Sequence, residues 1–200
     1  MFSNQINLNI FDSISIKELE KASLLNRIDT KFVFHKSKLP ELLEKIKFSY
    51  KILSIQDINQ FEYNNTYFDT DNLLFYNQHH NQYRKRFKVR LRRYSLTNEC
   101  YFEIKVKNNK NRTIKYRIKR NTLNDDNFII FDKEKQLVSD IIGISSDILS
   151  PKLSFKFSRI TFVDNNFDER LTIDTGLEFK NGRECISFDW LAISEIKQKK

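Results

Sequence analysis

Three consecutive stretches of the chain alternate charged and apolar residues, and they decide the fold. They read Arg86-Phe87-Lys88-Val89-Arg90-Leu91-Arg92-Arg93-Tyr94, Glu99-Cys100-Tyr101-Phe102-Glu103-Ile104-Lys105-Val106-Lys107 and Arg112-Thr113-Ile114-Lys115-Tyr116-Arg117-Ile118-Lys119. Alternation with a period of two is typical of β-strands, whose successive side chains point to opposite faces. We therefore predict three strands, each with cations on one face and apolar side chains on the other.

The charged face of these strands carries few anions. Between Arg84 and Arg120 the chain holds 15 Lys and Arg residues against 2 Glu, a local net charge of +13, and the rest holds 20 basic and 24 acidic residues. A solvated face is the ordinary interpretation of any single strand of this kind. Like charges directly opposite each other destabilise a sheet, however, so a solvated face normally mixes signs. Three such strands together favour a cavity that is filled by a polyanion.

The remaining pattern predicts five more strands and three helices. The strands cover residues 27–35, 61–69, 153–163, 170–175 and 191–197. One helix begins near Ser37, and the other two cover residues 73–78 and 132–142. Eight strands close naturally into a barrel about wide enough for one small ligand. The predicted class is α+β: an eight-stranded antiparallel β tunnel, closed as a barrel, with a basic interior and flanking helices. Residues 14–25 are predicted to be helical, so we expect an N-terminal helical segment, 1–26, before a tunnel domain, 27–200.

The other strands add polar residues to the predicted lining. These are Arg27, Asp29, Lys31, Arg170, Thr172, Asp174, Glu195 and Lys197. By strict alternation Arg159 shares the apolar face of Phe155 and Phe157, so a bulge is needed to turn it inward. Glu103 and Glu195 each precede a lysine by two residues. Such a carboxylate either neutralises neighbouring cations or holds a divalent cation that bridges phosphates, and the pattern leaves both open.

The composition excludes several classes of protein. Three glycines cannot form a Gly-rich nucleotide loop, and two cysteines make neither a disulfide framework nor a four-ligand zinc site. No apolar run approaches the roughly 18 residues of a membrane span, and no secretory signal begins the chain, so we expect a cytoplasmic protein. A nucleic-acid binder remains the main rival, because Tyr83, Phe87, Tyr94, Tyr101 and Tyr116 lie along the basic stretch.

An ordered set of short motifs resembles a known family, the VTC domain, which is the polyphosphate polymerase domain of the triphosphate tunnel metalloenzyme superfamily. The motifs are Arg27-Ile28-Asp29-Thr30-Lys31-Phe32, Thr66-Tyr67-Phe68-Asp69-Thr70, Lys88-Val89-Arg90-Leu91-Arg92-Arg93-Tyr94, Phe102-Glu103-Ile104-Lys105, Ser158-Arg159, Glu169-Arg170-Leu171-Thr172-Ile173-Asp174 and Ser194-Glu195-Ile196-Lys197. The resemblance runs in order from about Arg27 to Lys197. It implies an eight-stranded tunnel that binds triphosphates and polyphosphate.

The resemblance also implies an activity and its residues. A polymerase of this kind transfers the γ-phosphate of ATP to inorganic polyphosphate with Mn²⁺ or Mg²⁺. Lys31, Arg90, Arg92 and Lys105 are the implied catalytic residues, which bind the reacting phosphates. Further phosphate ligands are Arg159 and Arg170 by resemblance, and Lys115, Arg117 and Lys197 by their place on the strands. Glu195 is the implied metal ligand. No specific nucleic-acid partner is expected.

Two departures from the family pattern bear on the activity. The hydrolase and cyclase branch of the superfamily carries Glu-x-Glu-x-Lys on its first strand, whereas this chain has Arg27-x-Asp29-x-Lys31, which favours the VTC branch. VTC domains usually continue into a helix and a final basic segment, and the sequence stops at Lys200. A fragment, a minimal enzyme and a non-catalytic polyphosphate-binding module all remain open from the sequence.

Overall fold

The computed structural model describes residues 6–22, 27–110, 112–120, 128–182 and 184–199, and within them the chain forms eleven strands and four α-helices. The strands are β1 Ser13–Ile14, β2 Arg27–His35, β3 Tyr50–Leu53, β4 Gln60–Asp69, β5 Arg86–Tyr94, β6 Glu99–Lys107, β7 Thr113–Arg120, β8 Ser150–Asp164, β9 Glu169–Asn181, β10 Glu184–Phe188 and β11 Leu191–Lys199. The helices are α1 Ile16–Leu19, α2 Leu39–Ile46, α3 Leu74–His80 and α4 Asp132–Ile142.

The strands form one mainly antiparallel sheet with the order β2-β11-β9-β8-β4-β5-β6-β7. Strand β3 pairs with β8, β1 with β3, and β10 with β9. The predicted closed barrel of eight strands is therefore wrong, because the order has two ends, β2 and β7, and the sheet has eleven strands. Most side chains of both end strands are exposed. The α+β class and the mainly antiparallel pairing are confirmed.

The long predicted strands are all present. The structure differs from the prediction in the length of β9, in three additional short strands and in the N-terminal helix. Strand β9 continues to Asn181, six residues beyond the predicted end. The additional strands β1, β3 and β10 have two, four and five residues, too short for an alternation to stand out. Of the helix predicted over 14–25, the structure forms only Ile16–Leu19, and residues 23–26 lie outside the described part of the chain.

Contacts divide the chain into two compact units. The first comprises Met1–Glu62, Phe157–Glu178 and Ser187–Lys200, and the second comprises Tyr63–Lys156 and Phe179–Ile186. Each unit has its own apolar core. In neither unit do the described residues include a helix long and apolar enough to span a membrane.

The core of the second unit confirms the predicted phase of β5 and β6, and Tyr116 of β7 packs against it from the predicted apolar face. Val89 and Leu91 of β5, and Phe102 and Ile104 of β6, are all buried in it. Helix α4 covers this side with Val138, and α3 with Phe75. Gly143 ends α4 at a positive φ of 81°, which glycine adopts without the strain of a side chain. The opposite, charged face of β5, β6 and β7 is thereby left for another role.

The core of the first unit sets the phase of β8 and β9. Ile160 and Phe162 of β8 pack with Leu171 and Ile173 of β9 and with Leu39 of α2. Residues in the other phase, including Arg159 and Thr172, must therefore project from the opposite face of these strands.

Candidate functional site

Strand register in the second unit arranges the charged face in three rows that run across the strands. The central row contains Tyr67, Arg90, Glu103 and Arg117, the lysine row contains Lys88, Lys105 and Lys115, and the third row contains Asn65, Arg92, Tyr101 and Lys119. The rows hold seven cations and a single carboxylate. Cations directly opposite each other raise the free energy of a sheet unless an anion lies between them. The face is therefore built to accept negative charge.

Glu103 is the centre of this arrangement. Its side chain is fully buried, and one oxygen, Oε2, accepts hydrogen bonds from Nε and Nη2 of Arg90 at 2.7 and 2.5 Å. The other oxygen, Oε1, accepts a hydrogen bond from Nζ of Lys115 at 3.0 Å. Burial alone raises the pKa of a carboxyl group, but Arg90 and Lys115 outweigh it and lower the pKa of Glu103 to about 2. Glu103 therefore stays ionised and fixes cations from the strands on both sides of β6.

Lys105 lies two residues from Glu103 on β6 and has no contact with its carboxylate. Among the described residues, its ammonium group has no hydrogen-bond or ion-pair partner. Burial and the charges of Arg90 and Arg92 lower its pKa to about 7. A half-buried lysine between Lys88 and Lys115 is electrostatically costly in the free protein. An anion bound at the lysine row would remove this cost.

Two arginines of the face are oriented by aromatic neighbours. Arg92 donates a hydrogen bond from Nε to Oδ1 of Asn65 at 2.7 Å, and its guanidinium lies 5.3 Å from the ring of Tyr63. The guanidinium of Arg117 lies 4.9 Å from the ring of Tyr101. Stacking of this kind holds the guanidinium plane in one orientation, in which a guanidinium recognises phosphate oxygens through its edge.

Four other predicted residues form a separate charged cluster in the first unit. Register places Glu195 of β11 between Lys31 of β2 and Thr172 of β9, and Lys197 opposite Asp29. The Nζ atom of Lys197 lies 2.6 Å from Glu195 and 3.3 Å from Asp29, whereas that of Lys31 lies 3.9 Å from Glu195. Burial raises the pKa of Glu195, but Lys197 and Lys31 outweigh it, so the net shift is downward.

Arg159 lies on the same face as this cluster, and no bulge is required. It forms two hydrogen bonds to Asp174, at 2.6 and 2.7 Å, and its guanidinium lies 5.1 Å from the ring of Phe157. The predicted apolar phase was wrong because β8 carries aromatic residues on both faces, and the core takes Ile160 and Phe162. Phe157 accordingly lines the polar face beside Arg159.

Arg170 is partly committed to a structural role. Its Nη2 donates hydrogen bonds to the carbonyl oxygens of Leu19, the last residue of α1, and of Ala22, at 3.1 and 3.5 Å. Its buried Nε has no partner in the described part of the chain, and neither has the buried hydroxyl of Thr172. Both atoms belong to the β9 residues that register places beside Lys197 and Glu195. Within the described part of the chain, these two atoms could still form a hydrogen bond with a further polar group.

The structure adds residues that the sequence interpretation did not select. Lys88 completes the lysine row, and Asn65 accepts a hydrogen bond from Arg92. The hydroxyl of Tyr67, in the central row, accepts a hydrogen bond from Nη1 of Arg90 at 3.5 Å. Arg90 and nearby cations outweigh burial and lower the pKa of Tyr67. The alternation already placed Lys88 on the cationic face. Tyr67 and Asn65 could be found only through their register with β5.

The oxygen donors around Glu195 suit a divalent cation only in part. No group of three His, Cys, Asp or Glu side chains that could hold a metal occurs in the described ranges. The unpartnered Thr172 hydroxyl and the Glu195 carboxylate are nevertheless hard oxygen donors of the kind that Mg²⁺ and Mn²⁺ select. Magnesium in phosphoryl-transfer sites is commonly held by one or two carboxylates, with phosphate oxygens and water completing the shell. The residues fit such a substrate-completed site.

Comparison with known families matches residues 26–200 to the VTC domain. The chain belongs to the VTC domain family. The resemblance inferred from the short motifs is thus confirmed over nearly the whole sequence. No curated protein matches this VTC domain at a significant level.

Solved structures share the fold of this VTC domain at low sequence identity. A protein from Bacillus halodurans, proposed to be an adenylate cyclase, aligns with a TM-score of 0.55 and 12% identity over 87% of this chain and 81% of its own. A Hippeastrum protein, also proposed to be an adenylyl cyclase but with a dominant triphosphatase activity, aligns with a TM-score of 0.54 and 14% identity, covering 87% and 80% of the two chains. A third, from Vibrio parahaemolyticus, gives 0.50, 11% identity and coverage of 87% and 77%.

Proposed function

We propose that this VTC domain binds triphosphates and transfers the γ-phosphate of ATP to inorganic polyphosphate. The observation that carries the proposal is the arrangement of cations in the central row and the lysine row. There Glu103 fixes Arg90 and Lys115, while Lys105 has no partner among the described residues. The family assignment and the triphosphatase activity of the Hippeastrum neighbour support the same class of substrate.

The proposed reaction is a direct displacement at phosphorus. A terminal oxygen of the polyphosphate chain attacks the γ-phosphorus of ATP, a new P–O bond forms, and the bond to the β,γ-bridging oxygen breaks. ADP leaves with the electron pair, and the polyphosphate is one phosphate longer. Such transfers need alignment and charge neutralisation more than covalent help from the protein.

The cations of the face are suited to both tasks. Lys88, Lys105 and Lys115 stand one per strand, so successive phosphates meet a cation at each strand. Arg90 and Arg92 are oriented by Glu103 and Asn65, and a guanidinium held in one orientation recognises phosphate oxygens in fixed directions. We propose Lys31, Arg90, Arg92 and Lys105 as catalytic residues.

We propose five further phosphate ligands: Lys115, Arg117, Arg159, Arg170 and Lys197. Glu195, with the hydroxyl of Thr172, would hold Mn²⁺ or Mg²⁺, which when bound supplies positive charge that offsets charge on the transferring phosphate.

The direct test incubates the purified protein with ATP labelled at the γ-phosphate, Mn²⁺ and a short polyphosphate primer, and resolves the products on a gel. We expect label in polyphosphate longer than the primer, and none with Lys105→Ala. The matched control is Lys133→Ala, which removes an exposed lysine of α4 away from the rows. Binding of tripolyphosphate without transfer identifies the non-catalytic module instead. Tighter binding of single-stranded DNA than of polyphosphate at equal salt rejects the proposal in favour of a nucleic-acid binder.

A further inference from the structure

Lys105 occupies a position of the lysine row at which a neutral amine is favoured over an ammonium ion. Register places it directly opposite Lys88 of β5 on one side and Lys115 of β7 on the other. Residues opposite each other in antiparallel strands have Cα atoms about 4.5–5.5 Å apart, so two cations flank the Lys105 side chain closely. A proton on Lys105 adds a third positive charge to the same row.

The groups around Lys105 supply little negative charge to compensate it. Both oxygens of Glu103 are taken, one by Arg90 and the other by Lys115. In the portion of the chain that the structure describes, the Lys105 amine forms no hydrogen bond or ion pair. The charged and titratable groups nearest to it along the face are Tyr67 of β4, Arg86, Lys88, Arg90 and Arg92 of β5, Tyr101, Glu103 and Lys107 of β6, and Lys115 and Arg117 of β7. Cations dominate this set, which favours the neutral amine.

The neutral amine is the form of a lysine that carries a lone pair and attacks electrophiles. With the pKa of Lys105 lowered to about 7, about half of the molecules carry this form at pH 7. A lysine with the ordinary pKa of 10.5 carries it in roughly one molecule in three thousand. Enzymes activate lysine nucleophiles in the same way, by removing water and by placing another cation beside the amine. Lys105 is therefore available as a nucleophile at neutral pH.

The cations that flank Lys105 also select the electrophile that reaches it. A phosphate group with two negative charges is attracted to the lysine row and is held there by charged hydrogen bonds. A carbonyl carbon attached to that phosphate is then brought close to the amine, whereas a neutral electrophile gains nothing from the row. Acyl phosphates combine the anchoring phosphate and the electrophilic carbonyl in one small molecule.

We propose that Lys105 is a modification site at which acyl phosphates, bound to the lysine row by their phosphate group, transfer their acyl group to Nζ. The lone pair of Nζ attacks the acyl carbon, a C–N bond forms, and the bond from that carbon to the phosphate oxygen breaks. Inorganic phosphate leaves with the electron pair, the nitrogen gives up a proton to solvent, and a neutral amide remains. Lys88 and Lys115 offset the negative charge that develops on the acyl oxygen and on the leaving phosphate.

Acylation of Lys105 regulates the charged face, because the amide has neither the positive charge nor the donors of an ammonium group. The acylated protein should bind triphosphates weakly, and a bound triphosphate should in turn protect the amine from acylation. This consequence rests on the proposed function, since triphosphate binding at the same rows is what acylation weakens.

The first test incubates the purified protein with acetyl phosphate at pH 7.5 and follows acetylation of each lysine by peptide mass spectrometry. Lys133, an exposed lysine of α4, is the internal control in the same digest. We expect acetylation at Lys105 to be at least about tenfold faster than at Lys133, because anchoring and the larger neutral fraction act together. Saturating tripolyphosphate should slow the reaction at Lys105 alone. A neutral acyl donor, p-nitrophenyl acetate, should show a smaller preference for Lys105, since it has no phosphate to bind.

The second test measures the consequence for binding. The protein is acetylated, the reagent is removed, and tripolyphosphate is titrated by calorimetry. We expect the affinity of the parent to fall by about tenfold or more, the effect of losing one charged hydrogen bond. Lys105→Arg keeps the charge but has no nucleophilic amine, so the affinity of this variant should be the same before and after treatment. An equal fall in Lys105→Arg would assign the effect to other lysines and overturn the inference.

Each combination of results decides between the two proposals. If the parent binds no tripolyphosphate and Lys105 reacts no faster than Lys133, both are removed. If tripolyphosphate binds but Lys105 reacts no faster than Lys133, or is preferred equally by acetyl phosphate and the neutral ester, the proposed function stands and this inference is wrong. Selective acetylation by acetyl phosphate without tripolyphosphate binding supports the modification site and removes the proposed function.

Discussion

Arg90 donates two hydrogen bonds to a single oxygen of Glu103, the residue directly opposite it on β6, and both side chains are almost fully removed from solvent. The second oxygen of Glu103 accepts a hydrogen bond from Lys115 of β7, the strand on the other side of β6. One buried carboxylate therefore connects β5, β6 and β7 across the charged face. It holds two cations in place while leaving Lys105, two residues away on its own strand, for an incoming anion.

Glu103→Gln should destabilise the protein strongly, because the amide keeps the shape but leaves Arg90 as a buried charge with no counter-charge. Breaking one partner of a buried ion pair typically costs about 3–5 kcal/mol. Urea unfolding followed by circular dichroism measures the difference. Saturating tripolyphosphate should restore part of it, since a bound anion replaces the missing charge.

Glu178→Gln is the matched control for this change, since Glu178 is exposed on β9. It should alter the free energy of unfolding by less than about 0.5 kcal/mol, as surface substitutions usually do. Equal stability of the two variants would show that Glu103 does not organise the face.

Tripolyphosphate affinity should depend on pH through Lys105. With a pKa lowered to about 7, the ammonium group loses its proton as the pH rises from 6 to 9, and one charged hydrogen bond to the ligand is lost. Such a bond contributes about 1.5–3 kcal/mol, so affinity should fall roughly tenfold or more across this range. Lys105→Arg keeps its charge throughout and should show no such fall. The ionisation of tripolyphosphate itself changes in the opposite sense, so a parallel decline in both proteins contradicts the assignment.

Lys105→Met should stabilise the ligand-free protein at neutral pH. Burial and neighbouring cations place the folded-state pKa near 7, below the 10.5 of an ordinary lysine. Between these values the unfolded chain binds one more proton than the folded chain, so the destabilising effect of Lys105 is fully present below pH 7 and disappears as the pH approaches 10.5. Urea unfolding at pH 6.5 and pH 10 should show a gain for Lys105→Met that shrinks at the higher pH. Lys133→Met should show no pH-dependent gain.

Particular residues show what the sequence could and could not predict. The alternation around Arg90 and Lys105 predicted three strands and their charged face, because only one phase of each strand is apolar enough for a core. Strand β8 has aromatic residues in both phases, so its alternation does not show which face carries Arg159. The role of Glu103 as partner of both Arg90 and Lys115 depends on register across three strands, which the period of a single strand does not specify. The same limit explains the wrongly predicted barrel, since closure requires pairing between strands far apart in the chain.

Lys31→Ala should separate ligand binding from stability. Its side chain is 68% exposed and its Nζ lies 3.9 Å from Glu195, a geometry that contributes little to folding. We expect the free energy of unfolding to change by less than about 0.5 kcal/mol, whereas tripolyphosphate binding weakens by about 1.5–3 kcal/mol. Calorimetric titration of Lys31→Ala and of Lys45→Ala, an exposed lysine of α2, measures the difference. Equal affinities for the two variants would remove Lys31 from the site.

Glu195→Gln tests whether the cluster of the first unit holds a metal or only balances charge. The carboxylate is paired with Lys197 at 2.6 Å and lies beside the unpartnered hydroxyl of Thr172. The amide keeps the shape and removes the negative charge that a divalent cation requires. We expect the variant to lose Mn²⁺-dependent phosphate transfer, and to bind polyphosphate without metal as well as or slightly better than the parent, because one repulsive anion is gone.

Two measurements are made on Glu195→Gln. The first follows transfer of labelled phosphate from ATP to polyphosphate at increasing Mn²⁺ concentration, and the second measures polyphosphate binding in the presence of a chelator. Glu178→Gln is the control in both. The Mn²⁺ dependence separates the two roles. If Glu195 binds the metal, excess Mn²⁺ should partly restore phosphate transfer in the variant. If Glu195 is only a counter-ion to Lys197, excess Mn²⁺ should have no such effect. Full Mn²⁺-dependent turnover in Glu195→Gln would identify the carboxylate as a partner of Lys197 and Lys31 alone. Reduced binding of polyphosphate without metal would point to the same conclusion, since it would mean that Glu195 positions those lysines for the phosphates.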